Sequence, residues 1–194
     1  MAHPYTQESI RKVFIELLDE KPITKISVKE IAEKCEISRN TFYYYYPDIY
    51  AILKEVFSIE LEKVIGNYNN TLSWEESFIQ ATSFALQHKK CIYHIYHSMQ
   101  KEELERFLYN IAGDVMKSFV LSKNKDIGAS NTTCDVISQF YQGALTQMTL
   151  QWISNDCETD PTDLINYIGY LFNGNIEASL KRGLTIPPIK NKKR

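Results

Sequence analysis

The chain has 194 residues, 44 % of them apolar and 12 % aromatic, and its 24 Asp/Glu against 22 Lys/Arg leave a formal net charge of −2. That is ample material for a packed core, while only 7 Gly and 6 Pro argue against an all-β chain that turns every few residues. No run of about 18 uninterrupted apolar residues occurs, so no spanning helix is expected, and the slight acidity excludes a chain held to nucleic acid by bulk charge.

In chain order, residues 5–20 read as a first helix, with Ile10, Val13, Phe14, Leu17 and Leu18 on one stripe and Arg11, Lys12 and Glu16 on the other face. Lys21-Pro22 ends it. Ser27 with Glu30 forms a capping box, each side chain serving an orphan amide of the other. Val28, Ile31 and Ala32 then recur at helical spacing, and Cys35-Glu36-Ile37 makes a turn with Ile37 tucked inward. Ser38 caps a second short helix that carries Arg39, Asn40, Thr41, Phe42 and Tyr43 to Tyr46, until Pro47 stops it. Phe42 and Tyr46 fall on the face opposite the exposed donors and belong to the core. A fourth helix over 48–65, capped by Asp48, offers Ile49, Ile52, Leu53, Val56, Phe57 and Val64. Gly66-Asn67 and the Asn-rich stretch to Ser73 mark a domain boundary.

Beyond it the chain is helical again. Ser73-Trp74-Glu75-Glu76 is a second capping box opening a helix to about His88, and a short helix follows from Cys91 to Met99. Lys101 to Ser122 is amphipathic, Lys123 to Gly128 is a polar loop, and Ser130 to Ile153 is long and mostly apolar. Asp160-Pro161-Thr162-Asp163 starts a last helix that is expected to run to about Leu180. The fold class is therefore all-α: a three-helix N-terminal unit with the linking fourth helix over 1–65, a larger helical domain over 66–184, and a basic tail over 185–194.

Two short helices across a tight turn, the second exposing donors and aromatics, make a helix-turn-helix whose second member is sized for the major groove. The stretch from Ser27 to Tyr46 resembles the TetR family of transcriptional regulators, whose members typically read T-V-x-x-I-A-x-x-A-G-V-S-x-x-T-F-Y-Y-H-F. Glu36 stands where that turn has glycine, Tyr45 replaces the histidine, and Pro47 and Ile49 occupy the place of a phosphate-clamping lysine. The resemblance implies a double-stranded DNA operator as partner, contacted through Lys29, Ser38, Arg39, Asn40, Thr41, Tyr43, Tyr44 and Tyr45. By chemistry, Arg39 has the fork that reads guanine, and the tyrosine hydroxyls suit phosphates. Residues 1–65 carry nine Lys/Arg against eleven Asp/Glu, so attraction must come from local placement of Lys25, Lys29, Lys34 and Arg39.

His88, Cys91, His94 and His97 are spaced by three, which brings adjacent pairs close but turns four of them around half a helix, too far apart to share one metal ion. With Tyr93 and Tyr96 they suggest packing or the wall of an organic-ligand pocket, for which His94, Tyr96, His97, Phe107, Tyr141 and Met148 are the candidates. The resemblance implies a homodimer joined by the last two helices. Trp152, Tyr167, Tyr170, Leu171 and Asn175 suit that seam, with Gly143, Gly169 and Gly174 for close approach. No catalytic constellation, cofactor motif or metal set is present: there is no phosphate-cradling glycine loop, no G-x-S-x-G and no H-E-x-x-H. Four dispersed cysteines and a start without a basic-then-apolar signal suggest a cytoplasmic protein with reduced thiols. The function expected is a TetR-like regulator, a repressor that binds a palindromic operator as a dimer and is released by a small-molecule effector. The alternatives are an effector-independent regulator whose C-terminal domain binds another protein, and a small helical enzyme.

Overall fold

The computed structural model describes residues 4–68, 73–98 and 100–186, and every regular element among them is helical. α1 (Pro4–Glu20) buries Ile10, Phe14, Leu17 and Leu18 fully, the stripe its spacing dictates. After it a 3₁₀ turn (Ile23–Lys25), invisible in the periodicity, drops Ile23 and Ile26 into the same core. α2 (Val28–Lys34) starts with Ser27 Oγ accepting from the Glu30 amide at 3.2 Å. The reciprocal half of the expected capping box is replaced: the Glu30 carboxylate takes Lys21 Nζ at 2.6 and 2.7 Å instead. A full cation is a stronger partner for a carboxylate than one amide.

The turn closing α2 is a Schellman motif, with the Ile37 amide on Ala32 O at 2.9 Å and the Glu36 amide on Glu33 O at 3.2 Å. Glu36 sits at its left-handed position, φ 55°, where a Cβ is penalised. α3 (Arg39–Tyr45) is then capped by Ser38, and α4 (Ile49–Tyr68) by Asp48, whose Oδ1 accepts the Ala51 amide at 2.8 Å. α4 leaves the small domain and packs on the larger one, where Phe57 stacks on Phe107 at 4.5 Å.

α5 (Trp74–Gln87) opens with the complete capping box: the Ser73 amide reaches Glu76 Oε2 at 2.8 Å and the Glu76 amide reaches Ser73 Oγ at 3.2 Å. α6 (Lys89–Tyr96) is short, and α7 (Lys101–Asn124) and α8 (Asn131–Ser154) pack along their length as the backbone of the domain. The Gln142 side chain of α8 lies over Gly113 of α7 and donates from Nε2 to Tyr109 O at 2.9 Å. The single last helix expected over 160–180 is two: α9 (Pro161–Leu171) lies on α5, and α10 (Asn175–Gly183) lies on α7 and α8. Gly174 breaks it at φ 74°, a backbone state that glycine enters without cost.

Four buried hydroxyls, Ser77, Thr82, Ser138 and Thr146, each donate to the carbonyl four residues back, at 2.7 to 3.0 Å. Among the described residues no buried side-chain polar atom lacks a partner, so the interior is polar-satisfied. None of the described helices is long and apolar enough to cross a membrane. α4 runs on through Gly66 and Asn67, where the boundary was expected to begin, because its backbone bonding continues to Tyr68; the rest of that boundary, 69–72, and the basic tail beyond Ile186 lie outside the described residues.

Candidate nucleic-acid interface

α3 presents its side chains in two opposed sets. Phe42 is fully buried and Tyr46, the residue that closes the helix, is 3 % exposed. The Tyr46 hydroxyl donates to Glu55 of α4, and Glu55 also accepts from Arg11 and Gln7 of α1, each at 3.0 Å. Burial first, and then the bond to Glu55, push the Tyr46 phenol up to about 12. The network fastens α3 to both α1 and α4, so the short helix needs little intrinsic stability of its own.

The outward set is Arg39, Asn40, Tyr43 and Tyr44, all exposed. Spaced i, i+1, i+4 and i+5, they form one continuous face. Ser38 and Thr41 act first as a cap: Ser38 Oγ accepts the Thr41 amide at 3.0 Å and pairs with the Thr41 hydroxyl at 2.8 Å. Tyr45 is half-buried, edge-on to Tyr44 with centroids 5.1 Å apart. Lys29 lies exposed on α2, loosely paired with Glu33 at 3.7 Å. All eight residues expected at DNA thus come from α2, α3 and the turn between them. A guanidinium fork, an amide and two phenols on a rigid, capped helix can read base edges and hold phosphates together.

The small domain is fixed against the larger one through α6. Asp19 at the end of α1 accepts from His88 Nδ1 and from the Cys91 amide, both at 3.0 Å, and His94 Nδ1 donates to Leu18 O at 2.6 Å. Lys54 of α4 adds a looser pair with Glu103 of α7 at 3.6 Å.

Residues 10–56 match the model of the bacterial regulatory proteins of the tetR family, and residues 73–174, over half of the chain, match that of a transcriptional regulator C-terminal region. The chain belongs to the TetR family. It is a TetR-family transcriptional regulator with an N-terminal DNA-binding domain. In sequence it is similar to the uncharacterized HTH-type transcriptional regulator YxbF of Bacillus subtilis (strain 168), 36 % identical over 50 residues. That match spans 26 % of this chain and 13 % of the curated relative. In fold it is similar to the dihydroxyacetone kinase operon activator DhaS (TM-score 0.75, 19 % identity, 89 % of this chain and 97 % of that one). It also resembles the fatty acid degradation regulator FadR from Bacillus halodurans (TM-score 0.61, 17 % identity, 88 % and 95 % covered). A tetR-family regulator from Streptomyces coelicolor aligns at TM-score 0.56 and 11 % identity, over 97 % and 92 % of the two chains.

The six residues expected around a ligand are not brought together. α6 turns Cys91, Ile92 and Ile95 inward, which leaves His94 against α1, His97 exposed beside Tyr93, and Tyr96 under the Lys101 ammonium at 4.5 Å. Phe107 borders an apolar gap of about 20 Å³ shared with Thr82, Ile92 and Ile153. Met148 borders a second gap of about 20 Å³ under α9, and Tyr141 stands apart, half-buried near Glu177 and Arg182. Each gap holds one water at most. No group of three or more His, Cys, Asp or Glu side chains is arranged to hold a metal ion among the described residues.

The expected seam also separates. Trp152 is 5 % exposed and its Nε1–H donates to Thr159 O at 2.8 Å, so it belongs to the core of the chain. Gly169 is likewise filled from within, by Glu75. Tyr167, Tyr170 and Leu171 face outward on α9, and Asn175 is exposed on α10. Phe140, Gln147 and Gly143, residues whose mixture of apolar bulk, amides and a bare backbone suits an interface, lie on one outer stripe of α8 together with Val136: Val136 and Phe140 are 49 % and 71 % exposed, with Gly143 and Gln147 at i+3 and i+7 from Phe140. Between the start of α8 and the end of α10 an open groove of about 520 Å³ runs past Val136, Ile137, Arg182 and Leu184.

Proposed function

We propose that the chain acts as a homodimer on a two-fold operator, with α3 of each copy in a major groove and the outer faces of α8 and α10 forming the seam. The carrying observation is the exposed set Arg39, Asn40, Tyr43 and Tyr44 on a helix locked by Tyr46 and Glu55. Lys29 and the Ser38–Thr41 cap stand beside it as phosphate contacts. The α8 stripe supports the pairing, because an apolar ridge with a bare Gly143 in it is suited to close approach by a second helix. Phe140→Asp should turn the dimer into a monomer by light scattering and abolish operator binding; a dimeric Phe140→Asp protein would move the seam elsewhere. Repression, by blocking a promoter, is the expected sign, and the protein is expected in the cytoplasm. DhaS is named an activator, and a promoter fusion with and without the gene decides the sign here.

Two inputs to the C-terminal domain are open, a small-molecule effector or another protein, and one observation favours the second. Pockets for organic ligands run to about 300–1,000 Å³, whereas the interior gaps here are about 20 Å³ each and their polar atoms are satisfied. An effector would have to open the core and select a rarer state, or use the open groove between α8 and α10, part of which the proposed seam covers. Native mass spectrometry separates the readings: a bare dimer, with no thermal shift from small molecules, supports protein input, and an added organic mass restores the effector.

A further inference from the structure

We propose that Asn173 and Gly174, in the turn between α9 and α10, are a site of spontaneous covalent modification: the asparagine closes a ring on the next residue and reopens as isoaspartate. Asn173-Gly174 is the one Asn-Gly pair in the sequence. Both residues are exposed, and a Cβ built on Gly174 would meet nothing within 4 Å. Gly174 stands at φ 74°, directly ahead of the first residue of α10. The amides on either side of it are engaged: Asn173 donates to Tyr170 O at 3.5 Å and Asn175 to Phe172 O at 3.1 Å. Among the described residues, neither the Gly174 amide nor the Asn173 side chain has a hydrogen-bond partner. The nucleophile and the carbon it attacks are thus both open to water.

The reaction needs only water. The Gly174 nitrogen, deprotonated by hydroxide, bonds to Asn173 Cγ; the Cγ–Nδ2 bond breaks, and Nδ2 takes up a proton and leaves as ammonia. Water then opens the cyclic imide, and no electron is gained or lost. Cleavage between the nitrogen and Cγ gives aspartate. Cleavage between the nitrogen and the main-chain carbonyl carbon gives isoaspartate, whose chain runs on through Cγ. A following residue without Cβ lets the ring close unhindered, and every other described asparagine is followed by a residue that has one. Asn124 is also held at both ends by Ala129, at 2.9 and 2.8 Å. Asn155 is followed by Asp156, whose amide is engaged by Ile153 O at 3.0 Å. Isoaspartate lengthens the main chain just ahead of α10. That helix is seated by Glu177 on Lys123 of α7 at 2.8 Å and by Gly183 against Thr133 of α8, so the added length loosens its seat.

The test incubates the full-length protein at mildly alkaline pH in heavy-oxygen water and maps its peptides by mass spectrometry. Position 173 should become acidic, carry one heavy oxygen and hold more isoaspartate than aspartate, at about ten times the rate of Asn155. The rate should rise with pH, and Asn173→Gln should leave the peptide unchanged. An unmodified Asn173 while other asparagines convert, or aspartate formed without isoaspartate, overturns the proposal. Melting temperature reads the consequence. The aged protein should melt about 2–4 °C below the fresh one. Asn173→Asp, with the new charge but an ordinary main chain, should melt with the parent or slightly above it, its carboxylate facing the start of α10. Aged protein that melts with Asn173→Asp overturns the loosening of α10. Neither readout depends on where the dimer seam lies or on what the C-terminal domain senses.

Discussion

Tyr46→Phe tests how α3 is held. The ring is 3 % exposed, and phenylalanine keeps its packing against Phe42, 6.0 Å between centroids. What goes is a hydrogen bond to an ionised acceptor, worth about 1.5–3 kcal/mol. Glu55 keeps Arg11 and Gln7 and is 30 % exposed at its side chain, so solvent compensates part of the loss. The lower end, about 1.5 kcal/mol, is expected, or roughly 3–6 °C in melting temperature for a chain of this size. The pH dependence has a definite sign. The phenol stands at about 12 in the fold against its ordinary value near 10, so folding favours the protonated form. Its contribution is whole below about pH 10 and is lost as pH rises through about 12, a change on the order of 2–3 kcal/mol. Urea unfolding followed by helical circular dichroism, near neutrality and from about pH 9 to about 11.5, gives both numbers. The difference between parent and variant isolates Tyr46 from the other tyrosines and should shrink with rising pH. A difference that stays flat across that range, or is absent near neutral pH, refutes the reasoning.

Arg39→Ala should cost about 1–3 kcal/mol at the cognate operator and relax one base position per half-site; equal loss on all DNA would make Arg39 a phosphate contact. Glu36→Gly should stabilise the protein by about 0.5–1 kcal/mol by removing the Cβ from a left-handed turn, and Glu36→Val should destabilise it; thermal melts check both. Asp19→Asn weakens the join between α1 and α6 and should speed hydrogen exchange at the Cys91 amide about fivefold; unchanged exchange would mean that packing alone holds the two parts. The dispersed, slightly acidic charge of residues 1–65 predicts a shallow dependence of operator affinity on salt, and a slope equivalent to ten or so phosphates would contradict it.

Much of this was legible because it is local. Ser27, Ser38, Asp48, Ser73 and Asp160 announce helix starts by chemistry confined to one turn, and the α1 stripe needs only its own spacing. The outward face of α3 was legible for the same reason: Phe42 and Tyr46 must be inside if Arg39, Asn40, Tyr43 and Tyr44 are out. What failed depended on partners distant in sequence. The histidines in and flanking α6 look like a pocket wall by spacing, but Asp19 and Leu18, about seventy residues earlier, claim His88 and His94. Trp152 looks like an interface residue until Thr159 O receives its indole N–H. The break at Gly174 was outweighed by an apolar pattern that continues on both sides of it, because periodicity carries no information about which neighbour each half packs against.

The most direct test of the DNA-reading account is selection of binding sites from a random double-stranded library, run in parallel on the parent protein and Arg39→Ala. The account predicts an enriched two-fold sequence with half-sites about one helical turn apart, or a multiple of it, and relaxed preference at one symmetric pair of positions in the variant. No enriched sequence, or the same sequence enriched equally by both proteins, would contradict it.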